Sequence, residues 1–106
     1  MKTILSTSEI IGFLAQPENE LEICATAEVN FDEAKSQMEV ELDSFVRPVD
    51  DHSREKPVYP CWLPKKQITR EIVPRSEALE LARNIFHRWV GRVRQSCPMC
   101  SGAEVR

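Results

Sequence analysis

Between Glu20 and Phe31 the chain alternates without a break. Leu21, Ile23, Ala25, Ala27, Val29 and Phe31 share one parity, and Glu20, Glu22, Cys24, Thr26, Glu28 and Asn30 share the other. A period of two puts successive side chains on opposite faces of an extended strand, so this run reads as a half-buried β-strand. Asp32 to Ser36 is polar and turn-like, and Met38, Val40 and Leu42 then alternate with Gln37, Glu39, Glu41 and Asp43. The two runs predict an antiparallel hairpin closed by a loop of several residues. Its outer face carries Glu20, Glu22, Glu28, Glu39, Glu41 and Asp43. Like charges opposed across strands destabilise the pair, so such a face is either solvated or meets a basic partner.

What covers the apolar face is supplied near the C-terminus. From about Glu77 to Gln95, Ala78, Leu79, Leu81, Ala82, Ile85, Phe86, Trp89, Val90 and Val93 fall on one half of a helical wheel. Glu80, Arg83, Asn84, His87, Gly91 and Arg94 fall on the other. Ser76 is placed as N-cap, and Glu77 and Glu80 stand in the first turn, where the helix dipole favours them. Before it, Lys65 to Val73 is strand-like and predicts a third strand. At the N-terminus, Ser6-Thr7-Ser8-Glu9 matches a capping box with Leu5 and Ile10 as a hydrophobic staple. That pattern predicts a short helix from about Thr7, carrying Ile10, Ile11, Phe13 and Leu14, that ends before Pro17.

The expected fold is therefore α+β: an N-terminal helix, an antiparallel hairpin plus a third strand, and a long C-terminal amphipathic helix packed on one sheet face. At 106 residues there is room for one core. Residues 1–95 are read as a single domain, with 47–64 as an exposed Pro-rich loop, and residues 96–106 as a tail. No apolar run approaches the ~20 residues of a membrane span, and Met-Lys-Thr-Ile-Leu is followed at once by polar residues, so neither a span nor a leader is expected.

Charge is distributed unevenly along the chain. Residues 1–46 hold two basic and ten acidic side chains, whereas residues 47–106 hold twelve basic and seven acidic, within a net charge of −3. A whole surface that tracks nucleic acid is excluded, although a local basic stripe is not. Arg83, His87, Arg88 and Arg94 line the outward side of the last helix, where a solvated face is the first expectation and a basic stripe the second. Guanidinium groups there can pair with phosphates or with carboxylates of a protein surface.

The most specific string is Cys97-Pro-Met-Cys100-Ser-Gly, which resembles the knuckle of a zinc ribbon, where turn amides support two thiolates. One knuckle is half a tetrahedral site. Cys61, in the stiff Pro60-Cys61-Trp62 segment, is the preferred third ligand, and Cys24, His52 and His87 are further candidates; zinc is the only cofactor suggested. A thioredoxin-like dithiol fits less well, because this pair follows a helix instead of opening one. Asp50-Asp51-His52 reads as a polar loop. There is no nucleophile elbow, and three glycines leave little material for a phosphate-cradling loop. Tyr59 and Trp62, flanked by prolines, are expected to form an exposed recognition tip.

These features favour a small non-catalytic cytoplasmic module that docks a protein partner, in the manner of a regulator, inhibitor or immunity-like adaptor. The runner-up is a nucleic-acid-binding protein with a C-terminal zinc knuckle, and a thiol-dependent redox enzyme is third. A homodimer is a further partner state that the sequence leaves open, as it does whether the third strand is internal or an edge that pairs between chains.

Overall fold

A computed structural model describes residues 1–15, 20–49 and 57–96. Four strands, β1 (Lys2–Ala15), β2 (Glu20–Asp32), β3 (Gln37–Pro48) and β4 (Gln67–Ile72), precede one helix, α1 (Arg75–Ser96). The strands lie in the order β1-β2-β3-β4, and every neighbouring pair is antiparallel. Helix α1 crosses one face over β1, β2 and β3 and makes no close backbone approach to β4. The α+β class and the packing of the C-terminal helix on one sheet face are as the sequence predicts.

The hairpin is the frame. Ile23, Ala25, Ala27, Val29 and Phe31 of β2 share the inner face with Met38, Val40, Leu42 and Val46 of β3, and all are buried. Ala78, Ala82, Trp89, Val90 and Val93 of α1 close over them. Polar groups trapped in this layer are satisfied: the Trp89 indole N–H donates to the Asp43 carbonyl at 2.9 Å, and the Ser44 hydroxyl donates to the Pro64 carbonyl at 3.1 Å. The β2–β3 turn is an Asx-type turn in which Asp32 Oδ1 accepts from the amides of Ala34 and Lys35. Ser36 then takes a left-handed φ of 47°.

The N-terminal helix is corrected to a strand. β1 runs 14 residues and pairs with β2 from Lys2↔Phe31 to Ala15↔Glu20. Its apolar spacing looks helical because of a bulge between Ile10 and Gly12, where Ile11 is the additional residue. The bulge changes the phase of the alternation, so Ile10 and Phe13 point to the outer face while Ile11 packs into the core. A capping box contributes about 1 kcal/mol. That is too little to outweigh pairing along the whole edge of β2, which the β-branched residues Thr3, Ile4, Thr7, Ile10 and Ile11 favour. Gly12 would also have weakened a helix.

Helix α1 begins at Arg75, ahead of the expected Ser76 cap, and the Pro74 carbonyl accepts from the Glu77 amide at 2.9 Å to close the first turn. Residues 57–64 are irregular and, Leu63 apart, exposed or half-buried, but they are tied to the sheet. Val58 and Val46 exchange both backbone hydrogen bonds, at 2.9 and 2.8 Å, so the stretch of β3 beyond the reach of β4 has its own partner. From there the chain turns so that Leu63 is buried in the core and Trp62 packs against it.

Candidate functional site

Because α1 covers only one side, the other face of the sheet is where side chains stand without a covering element among the described residues. Cross-strand rows define it: Ser6, Glu28, Glu41 and Ile68; Ser8, Thr26 and Asp43; Ile10, Cys24 and Phe45; Phe13, Glu22 and Arg47. Two chemically different zones result.

The first zone is polar. Ser6, Ser8, Thr26, Glu28, Glu41 and Asp43 line a shallow concavity of about 300 Å³. The acidic surface expected of the hairpin is partly neutralised from within: Lys66 Nζ stands 2.9 Å from Glu41 and Arg70 2.7 Å from Glu39. β4 thus brings basic residues of the second half of the chain against acidic residues of the first. Glu28 is exposed and has no ion pair among the described residues.

The second zone is apolar around a buried polar centre. Ile10 and Phe13 are about half exposed, at 48% and 49%, and the Tyr59 ring meets Phe45 edge-on with centroids 6.2 Å apart. Beneath them Glu22 is only 2% exposed, although strand alternation assigns it to the outer face. Arg47 Nε donates to its Oε2 at 2.7 Å, and the Cys24 thiol donates to the same oxygen at 3.7 Å. The Arg47 guanidinium also lies 5.7 Å from the Phe45 ring centroid. This is a charge-assisted bond in a low-dielectric setting, held laterally by aromatic and aliphatic groups.

Cys24 is an inert thiol. Burial is the largest cause that pushes its pKa up, to about 11, against the opposing pull of Arg47. The thiolate is the nucleophile, so little is present at neutral pH. The linkage runs in one direction. The folded pKa lies above the unfolded value of 9.0, so stability is unaffected below about pH 9 and falls as pH rises from there towards 11, where the unfolded chain has released a proton that the fold retains. We expect iodoacetamide at pH 8 to alkylate exposed Cys61 well before Cys24, as read by peptide mass spectrometry. Equal rates would show that Cys24 is accessible.

The residues singled out in the sequence do not converge. Tyr59 lies on the helix-free face, where its hydroxyl donates to Asp43 Oδ2 at 3.4 Å, while Trp62 leans into the core. Cys61 is exposed on the rim of a cleft of about 410 Å³ lined by Tyr59, Pro60, Leu63, Pro64 and Lys66. Arg83, His87, Arg88 and Arg94 are all exposed on α1, on the opposite side of the sheet from Tyr59. They also fall on two flanks of the helix: Arg94 reaches Glu9 of β1 at 3.6 Å, whereas Arg88 borders a cleft shared with Gln67 and Thr69 of β4. Arg92, from that second flank, stacks 5.5 Å from the Trp89 ring centroid and donates to Gln67 at 3.2 Å.

Cys97 and Cys100, the heart of the zinc reading, lie outside the described residues, as does His52. Among the described residues no group of three or more His, Cys, Asp or Glu side chains is placed to hold a metal ion. Nor, among them, is any helix long and apolar enough to cross a membrane. The Glu22–Arg47 centre escapes sequence reasoning. Its only signal is that Glu22 and Cys24 stand in a continuous β-run opposite a lone Arg47, which becomes informative once the β2–β3 register is known. Comparison with protein-family models, with curated proteins and with solved structures yields no match.

Proposed function

We propose that this chain is a small non-catalytic docking module and that its contact surface is the helix-free face of its sheet. The observation that carries the reading is the juxtaposition on that face of an apolar group, Ile10, Phe13, Phe45 and Tyr59, with an acidic concavity that contains Glu28 and Asp43. Aromatic and aliphatic anchors give affinity once desolvated, and the flanking carboxylates select orientation and sign of charge. The partner that fits is a protein segment with a large apolar side chain next to lysine or arginine. Free Cys24 and Cys61 thiols suit a reducing cytoplasmic setting.

Selection of a displayed random-peptide library on the folded protein tests this. Binders are expected to combine basic and bulky apolar residues, and Glu28→Lys with Asp43→Lys should weaken them at least tenfold. Arg83→Glu with Arg88→Glu should leave them unchanged. If reversal on the helix abolishes binding and reversal on the sheet does not, the docking surface is the arginine-bearing helix and the sheet-face reading fails. A short duplex or single-stranded RNA probe retained at low salt and released by the same helix reversals would instead support the nucleic-acid alternative.

A further inference from the structure

The two edges of the sheet are protected very differently. β4 is six residues long, is bracketed by Pro64 and Pro74, and carries Arg70 and Glu71 with Lys65 and Lys66 just ahead of it. Such features keep an edge from pairing with another chain. β1 is 14 residues long, has no proline, and carries no charge from Thr3 to Ser8. Glu9, the one acidic residue of β1, is paired with Arg94 of the helix. Between the bulges at Ile4 and Ile11 the strand is regular, and the edge from Thr3 to Ile10 has no backbone partner other than β2 among the described residues.

We infer that this edge pairs with the same edge of a second copy of the chain. Two-fold antiparallel pairing keeps both helices on one side of the joined sheet only when directly opposed residues belong to the same face, so the axis passes through a residue. With the axis through Thr7, Thr7 faces its counterpart, Ser6 faces the partner's Ser8, Leu5 faces the partner's Glu9 and Ile4 faces the partner's Ile10. No like charges meet in this register, despite the net charge of −3. Hydroxyl pairs and aliphatic pairs are favourable cross-strand neighbours. An axis through Glu9 would oppose two carboxylates, and pairing of β4 about Arg70 would oppose two guanidinium groups.

The interface is a ribbon. With the axis through Thr7 the two strands overlap from Lys2 to Gly12, about 36 Å, and a sheet edge with its side chains is roughly 10 Å thick. The surface removed from water is then about 700 Å² in total, the size of a weak interface. The dimer is accordingly weak and concentration-dependent. The joined sheet has eight strands and ends on both sides in the protected β4.

Sedimentation equilibrium of the intact protein from about 5 to 500 μM tests it. The wild type is expected to pass from monomer to dimer across that range. Ser6→Lys with Ser8→Lys opposes lysine to lysine across the axis and should raise the dissociation constant at least tenfold; Ser6→Lys with Ser8→Glu opposes lysine to glutamate and should restore the dimer. Ser6 and Ser8 are exposed, so both variants keep the core. Hydrogen exchange on the wild type supplies a reading free of any variant: Thr3–Ile10 amides should gain protection with concentration and Gln67–Ile72 amides should not. A wild type that stays monomeric, a dimer indifferent to the paired lysines, or protection that builds on β4 overturns the inference. Glu28→Lys with Asp43→Lys, which disrupts the docking face, leaves the β1 pairing in place, so the two ideas fail separately.

Discussion

Replacing Phe31 with alanine is expected to lower the free energy of unfolding by about 3–5 kcal/mol, the usual range for truncating a buried phenylalanine. Phe31 is the largest fully buried side chain, 1% exposed, and lies on the inner face opposite Met38 of β3 and Lys2 of β1. The Arg75 guanidinium stands 5.8 Å from its ring centroid, so the same ring also anchors the first turn of the helix. A domain of this size has only about 5–15 kcal/mol in hand. The variant should unfold at a much lower urea concentration with an unchanged slope, whereas Phe31→Leu should cost less than about 1.5 kcal/mol. A cost below about 1 kcal/mol for alanine would mean that the helix and hairpin settle into the vacated space.

Arg47→Met is the second large expected effect, at about 3 kcal/mol, towards the lower end for breaking a buried pair because the Arg47 side chain is 31% exposed while that of Glu22 is 3% exposed. The loss comes chiefly from removing the positive charge and the donor that face a buried carboxylate, and less from the packing of Arg47 on Phe45. The double variant Glu22→Met with Arg47→Met removes both charges and should recover most of the stability, which gives a coupling energy of about 1–3 kcal/mol in a double-mutant cycle. Additive losses would indicate that Glu22 is held by its other contacts and that Arg47 contributes mainly through packing on Phe45. Chemical denaturation at pH 7 of the four proteins decides between these outcomes.

These expectations rest on parts of the structure that differed in how far the sequence revealed them. β2, β3 and α1 follow from periodicity, because each has one face in the core and hence an uninterrupted alternation or helical stripe. β4 shows strand-like spacing of Ile68 and Ile72, although both are exposed, at 51% and 73%, and none of its residues is buried. β1 is not, because one inserted residue at Ile11 converts a strand pattern into spacings of one, three and four. Local signals cannot separate a bulged strand from a capped helix when a neighbouring strand edge decides the outcome. The role of Val58 as partner to Val46 is also hidden, since it depends on where β4 stops along β3. The arginines of α1 are exposed, but the chain gives no sign that Tyr59 stands on the opposite side of the sheet. The Glu22–Arg47 centre needs residues 25 positions apart to be brought into register.

The strand order has a bearing on how the protein is made. In a simple meander every pairing joins chain neighbours, so each closure spans a modest length and each strand can add to the one already synthesised. The cover for the inner face comes last, because α1 follows all four strands. Until that helix emerges, Ile23, Val29, Phe31, Val40 and Leu42 lack the cover that Ala82, Trp89, Val90 and Val93 later give them. Chaperone dependence should therefore be concentrated in the short interval between completion of β4 and emergence of α1.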